Sequence, residues 1–148
     1  MVNSFEFDYF VKFSQNLLNN KNLVSNNKFQ CVYRTIIGRV YYAAFHHAKY
    51  WLELNYPSFK TREFNYETGK FQNKDGLSEH VLVFKELRRT AKSQKGLKTE
   101  FRLAASRLES LFDKRIEADY NENVIFKENE VTDAIQEAIY IINLLPFN

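Results

Sequence analysis

The segment Arg39-Val-Tyr-Tyr-Ala-Ala-Phe-His46-His47 gathers an arginine, two tyrosines and two of the chain's three histidines. On a helix, Arg39 and His46 are seven positions apart. They then differ by about 20° around the axis and lie about 10 Å apart along it. Tyr42 falls between them, three positions after Arg39 and four before His46, and Tyr50 extends the same stripe. His47 points about 100° away, toward Val40, Ala43 and Trp51, and is read as a core or edge residue. One stripe therefore carries a cation, a phenol and an imidazole. An aromatic-rich core helix with incidental polar groups is the competing reading.

These residue types suit phosphodiester chemistry on RNA, which carries its own nucleophile, the 2′-hydroxyl. Cleavage needs a base for that proton, an acid for the departing 5′-oxygen and cations for the charge-rich phosphorane. Histidine titrates near neutrality and can do either proton job, while arginine is a permanent planar fork for phosphate oxygens. Tyr42 could hydrogen-bond a phosphate or stack on a base. Arg39 and His46 can flank one phosphate but would not complete a site alone. A dimer packed across this face would present the stripe twice.

The elements that must position this stripe read as helices. The chain has 148 residues, 45% of them hydrophobic and 26% charged. That length suits a single domain, 1–148, with a real core. Four Gly and two Pro are too few for the many turns of an all-β fold. Residues ~5–19 form a first amphipathic helix, with Phe10, Phe13 and Leu17 on its apolar face. After the polar NNKNLVSNNK, a long second helix runs from about Phe29 to Leu54, with Ile36, Val40, Ala43, His47 and Leu54 along its inner side. Residues 56–76 show no clear periodicity and are expected as a long loop, of the kind usually functional or mobile. A third helix starts near Leu77 with Ser78 as cap and carries Val81, Phe84 and Leu87; SQKG, ending at Gly96, interrupts it. A fourth runs from Lys98 to Tyr120 and a fifth from Glu128 to Leu145. The expectation is an all-α, antiparallel bundle of about five helices with no strand.

The single Cys31 cannot form an internal disulfide and is expected as a half-buried, reduced thiol of a cytoplasmic protein. No CxxC or HExxH occurs, so no metal or other cofactor is expected. The N-terminus lacks a basic leader and no apolar run approaches a membrane span, so no membrane is expected. Charge is uneven. Between Lys85 and Arg115 ten basic residues face four acidic ones, a local +6 against +3 for the whole chain. Arg88, Arg89 and Lys92 in this band could contact RNA phosphates, or the band could be a solvated helix surface.

Three separated motifs resemble one family. RTIIGRVYYAAFHHAKYWL resembles the second helix of the HEPN superfamily, LSEHVLVFKEL resembles a later helix with an early histidine, here His80, and RIEADY matches an R-x-x-A-D-Y signature at Arg115, Ala118, Asp119 and Tyr120. An Ala-rich helix, DAIQEAIYII, follows. Order and spacing agree from about residue 30 to 145.

The resemblance implies a helical bundle that dimerises. It also implies a metal-independent endoribonuclease motif, arginine and histidine separated by four to six residues, here Arg39 and His46. The expected products are a 2′,3′-cyclic phosphate, or its opened form, and a 5′-hydroxyl. Val40 stands where active members often carry Asn, Asp or His. Some relatives are non-catalytic and pair with a nucleotidyltransferase, so that alternative stays open. Bacterial defence, including toxin–antitoxin and CRISPR-associated systems, is implied by resemblance alone, as is an antitoxin partner. Arg115 and Asp119, four apart, allow a helix ion pair, and Tyr120 could reach across the bundle. Arg115 remains open as a second phosphate cation. His80 opens its helix, where the positive end disfavours protonation.

Overall fold

A computed structural model describes residues 7–23, 29–93 and 98–147. In chain order the elements are α1 (Phe7–Asn19), a short 3-10 turn (Lys21–Leu23), α2 (Phe29–Asn55), β1 (Arg62–Asn65), β2 (Lys70–Asn73), a second 3-10 turn (Lys74–Gly76), α3 (Glu79–Ser93), α4 (Lys98–Tyr120) and α5 (Glu128–Leu144). The expected all-α class and five helices are borne out. The break at SQKG falls mostly outside the described residues.

α2 is the central element. It packs against α1, α4 and α5 and, more lightly, against α3, while α3 packs on α4 and α4 on α5. Its sequence explains this position. Val32, Ile36, Ile37, Val40, Tyr41, Ala43, Ala44, Phe45, Ala48 and Leu52 cover about 220° of the helix circumference with apolar groups, and all are buried. A helix apolar on most sides must be enclosed. What remains open is one narrow stripe, Cys31, Thr35, Arg39 and His46, with Tyr42 half-buried among them. These positions fall within about 80° of one another around the axis. The chemistry-bearing stripe is the open side of the central helix.

The helix ends follow the sequence. Ser78 Oγ accepts from the Val81 N–H at 3.4 Å, the start of α3. Lys127 cannot accept at the start of α5, but Glu130 reaches back to its N–H at 2.8 Å, half of a capping box. Arg34 closes the end of α4, donating to the carbonyls of Ala118 at 2.7 Å, Asn121 at 3.0 Å and Val124 at 2.6 Å. A guanidinium on the last carbonyls of a helix satisfies orphan acceptors and meets the negative end of its dipole.

Four expectations need correcting. The 56–76 stretch contains an antiparallel hairpin, not only loop: β1 pairs with β2 with Arg62 opposite Asn73 and Phe64 opposite Phe71. Its turn is built by Asn65, whose Oδ1 accepts from the N–H groups of Glu67 and Thr68, and by Gly69 at φ +65°, a conformation glycine supplies without strain. Both strands are polar and almost wholly exposed, so no alternation against a core betrays them. Phe13 is 55% and Leu54 54% exposed; α1 instead buries Val11, Ser14 and Leu18. Val81 faces out, and Leu82 and Val83 are buried beside Phe84 and Leu87. Cys31 is exposed, because it lies on the open stripe of α2.

Candidate functional site

Arg39, Tyr42 and His46 do converge. With Phe10 and Ala43 they line a cavity of about 170 Å³ between α1 and α2. A more open hollow of about 370 Å³ adjoins it, lined by Tyr9, Phe10, Phe13 and Arg39. Arg39 makes no ion pair with any described residue, and neither nitrogen of His46 has a hydrogen-bond partner among them. An unpaired guanidinium and an unpaired imidazole therefore face one cavity, as an anion-binding reading requires.

The rings hold the stripe in shape. The Tyr42 and His46 rings stack at 5.9 Å with 22° between planes, and Phe45 meets His46 edge-on at 5.1 Å. Burial of the inner edge of His46 lowers its pKa, and the Lys49 ammonium lowers it further against the opposing pull of Glu79. His46 is thus poised as a neutral base near pH 7.

Arg115 reaches this stripe from α4. Its Nη2 donates to the Tyr42 hydroxyl at 2.9 Å, its guanidinium lies 5.2 Å from the centre of the Tyr42 ring, and its Nε is 2.7 Å from Asp119 Oδ2. Arg115 is largely enclosed, so the Asp119 pair fixes where this cation points. Tyr120 does not reach across the bundle. It is 73% exposed and rests beside the Arg115 guanidinium.

His80 packs near Tyr42, ring centres 6.4 Å apart, and does not line the cavity. Its Nδ1 is 2.5 Å from the hydroxyl of Tyr41, which is fully buried, and its ring packs on Phe45 at 4.4 Å and Phe112 at 4.9 Å. Burial lowers its pKa, and Arg115 and His46 add to that. Burial pushes the Tyr41 hydroxyl up, so it stays a phenol. Beside it, Glu79 accepts from Lys49 Nζ at 3.0 Å and from Thr61 Oγ1 at 2.8 Å. Burial pushes the Glu79 carboxyl up, but these two donors outweigh it and hold it below the usual carboxylate range. Thr61 stands at the foot of the hairpin, so this network seats the hairpin next to the site.

The remaining expected residues lie elsewhere. His47 is buried with its Nε2 2.7 Å from the Leu145 carbonyl and its ring 4.4 Å from Phe147. Trp51 Nε1 donates to the Pro146 carbonyl nearby. His47 thus fastens the C-terminal segment to α2, the structural role expected of it. Arg88 is paired with Glu109 and Arg89 with Glu86. Arg89 is nine residues past His80, about half a turn around α3, and Lys92 lies about 18 Å from His80 along that axis. Of the cationic band, Arg115 reaches the stripe, while Arg88 and Arg89 are held by carboxylates elsewhere.

Sequence reasoning missed Phe10 as a wall of the cavity, Tyr41 as the partner of His80, and the Lys49–Glu79–Thr61 chain. Only the Tyr41-Tyr42 doublet carried a signal, since neighbours on a helix point about 100° apart and one phenol had to face inward. Among the described residues no group of His, Cys, Asp and Glu is arranged to hold a metal, and no helix is long and apolar enough to cross a membrane. No family model, curated protein or solved structure matches the chain.

Proposed function

We propose that this chain is a metal-independent endoribonuclease of the HEPN type, acting on single-stranded RNA. The observation that carries the reading is the convergence of Arg39, Tyr42 and His46 on one cavity with the guanidinium and imidazole both unpaired. His46, neutral near pH 7, takes the 2′-hydroxyl proton. The 2′-oxygen attacks phosphorus, the bond from phosphorus to the 5′-oxygen breaks, and protonated His46 or a solvent molecule returns a proton to the leaving oxygen. Arg39 stabilises the phosphorane charge, and Tyr42 is the positioning group, its ring stacked on His46.

The chain acts as a homodimer in this reading. Tyr9, 63% exposed, and Phe13 form an apolar rim beside Arg39 that a second copy covers. The hairpin carries Phe64, Tyr66 and Phe71 in mutual edge-on contact at 5.1 and 5.3 Å. Arg62 shares the face of Phe64 and Phe71 by strand alternation. Such rings offer stacking surfaces to unpaired bases. A role in bacterial defence, with an antitoxin or other protein partner in the cytoplasm, accords with the family resemblance.

The test is cleavage of a labelled single-stranded RNA in EDTA, wild type beside His46→Ala, each checked for folding and mass. Loss of cleavage in the variant, with cyclic-phosphate ends from the wild type, supports the reading; equal rates sink it.

One observation favours a second reading, a non-catalytic module pairing with a nucleotidyltransferase or another protein. Val40, where active relatives often place a polar residue, is fully buried, so no polar side chain can serve the site from that position. That reading predicts a stable complex with a co-expressed partner and no cleavage by the folded chain.

A further inference from the structure

His80 and Arg115 adjoin Tyr42 without lining the cavity that holds Arg39 and His46. The Tyr41 hydroxyl is enclosed in the core, and its partner among the described residues is His80 Nδ1. A buried hydroxyl proton needs an acceptor. Nδ1 can accept only if it carries no proton, which places the imidazole proton on Nε2. A positively charged His80 would carry protons on both nitrogens and leave the Tyr41 hydroxyl proton facing another donor. The hydrogen bond therefore selects one form of His80, neutral with Nε2–H, and the buried phenol acts as the clamp.

His80 Nε2 has no partner among the described residues. Arg115 donates from Nη2 to Tyr42 and its Nε is ion-paired with Asp119 at 2.7 Å, and Nη1 has no acceptor among the described residues. The Tyr42 hydroxyl accepts from Arg115, so its own proton remains available. Donors from α2, α3 and α4 thus gather about Tyr42, with the His80 ring centre 6.4 Å and the Arg115 guanidinium 5.2 Å from the centre of its ring. Of the carboxylates nearby, Glu79 is occupied by Lys49 and Thr61, and Asp119 by Arg115.

We infer that His80 Nε2–H, the Tyr42 hydroxyl and Arg115 form a second anion subsite, which holds a phosphate of the RNA chain next to the one cleaved between Arg39 and His46. The inference rests on the ribonuclease reading and extends it. His80 is a positioning donor in this scheme and does not exchange protons with substrate. The charged and titratable groups facing it are Arg115 from α4, His46 and Lys49 from α2 and Glu79 from its own helix, along with the phenols of Tyr41 and Tyr42. Burial, Arg115 and His46 all oppose its protonation, Glu79 alone favours it, and a neutral donor serves at every pH where the protein works.

The experiment is long-range 1H–15N NMR of the imidazoles in the full chain, alone, with inorganic phosphate, and with a 2′-deoxy-substituted RNA 12-mer that cannot be cleaved. The expected result has three parts. His80 shows the neutral Nε2–H pattern at neutral pH and keeps it below the ordinary histidine value of 6.5. The RNA shifts its Nε2 signal together with that of His46. His80→Ala weakens RNA binding about tenfold, while His80→Gln, whose amide N–H replaces Nε2–H, restores most of it. Tyr41→Phe removes the clamp, and His80 then titrates higher or moves its proton to Nδ1.

An Nδ1–H pattern in the wild type, titration at the ordinary histidine value, or an RNA complex that leaves His80 unmoved overturns the inference while the ribonuclease reading stands. A shift with phosphate but not with RNA likewise overturns it, since the subsite then serves another anion. A chain that neither binds nor cleaves RNA removes the ribonuclease reading and the subsite together.

Discussion

Arg115 and Tyr42 are 73 positions apart in the chain, and a 2.9 Å hydrogen bond joins them across the contact of α4 with α2. Asp119 holds the cation from behind at 2.7 Å, so the pair forms a small rigid unit beside His46. Tyr42→Phe keeps the ring that stacks on His46 and removes only the hydroxyl. It is expected to lower cleavage about tenfold and Tm by several degrees, since the lost hydrogen bond joins two helices of the folded chain and one to a charged group is worth roughly 1.5–3 kcal/mol. Arg115→Gln is expected to cost at least as much. The double variant should be no worse than the more severe single one, because both act through one contact. Full additivity in the two-by-two set of rates would show that they act separately.

Arg39 and His46 are exposed, so their removal should leave the fold intact. Arg39→Ala and His46→Ala are each expected to reduce cleavage at least about 100-fold while Tm moves by no more than about 2 °C. The wild-type rate also carries a signature of His46. A general base works when neutral, and burial and Lys49 lower the His46 pKa from its ordinary 6.5. The rate should therefore climb with pH about a midpoint below the ordinary 6.5, and Lys49→Ala should move that midpoint upward. A midpoint above 6.5 would show that His46 is not the base.

The open stripe on α2 could be read in the sequence because helix geometry alone puts Arg39, Tyr42 and His46 in line. The inward turn of His47 was legible for the same reason. Other features were hidden for physical reasons. The hairpin buries almost nothing, so its strands show no alternation; only Asn65 and Gly69, four apart around a turn, hinted at it. The pairing of Arg88 with Glu109 depends on which helix faces α3, and a count of charges carries no such information, whereas Arg89 pairs within α3 with Glu86, three positions before it. Tyr41 and His80 meet across 39 positions, a contact set by the packing of α2 on α3.

Stability should fall on acidification because of two histidines. His46 and His80 both have pKa values lowered by burial in the folded chain, so the unfolded chain binds protons that the folded one resists. Stability is then constant above the ordinary value of 6.5 and declines as pH falls below it toward the folded values. His80→Gln cannot titrate and should flatten part of that decline. Urea midpoints from pH 7.5 to 5 test this. Equal slopes in wild type and variant would remove His80 as a cause.

Arg34 is a structural cation. It spans the end of α4 and the connection to α5, with three carbonyl contacts of 2.6 to 3.0 Å and its guanidinium 5.4 Å from the Phe126 ring. Arg34→Ala leaves these carbonyls without their donor and is expected to cost about 2 kcal/mol, or a Tm lower by about 4–8 °C. Arg34→Lys should recover little, since an ammonium cannot span carbonyls on both sides of the turn. Because Arg34 also adjoins Ala118, one turn of helix from Arg115, cleavage by Arg34→Ala measured well below its Tm reports whether the end of α4 must be held for Arg115 to act. A Tm unchanged by Arg34→Ala would deny the cap its role.

The exposed rings of the hairpin separate binding of a long RNA from the chemistry itself. Tyr66 is 90%, Phe71 63% and Phe64 42% exposed, so replacing them with serine removes almost no core. Each lost base stack is worth roughly 1–3 kcal/mol, and Phe64→Ser with Phe71→Ser should weaken binding of a single-stranded 12-mer at least about tenfold. The hairpin is seated beside the site through Thr61 and Glu79, yet its rings lie along the strands, away from that anchor. A dinucleotide substrate occupies the Arg39–His46 cavity without reaching them, and its cleavage should be unaffected. Equal losses on short and long substrates would mean that the hairpin shapes the site through Glu79 and does not bind RNA, and no loss on either would leave the rings outside the RNA path.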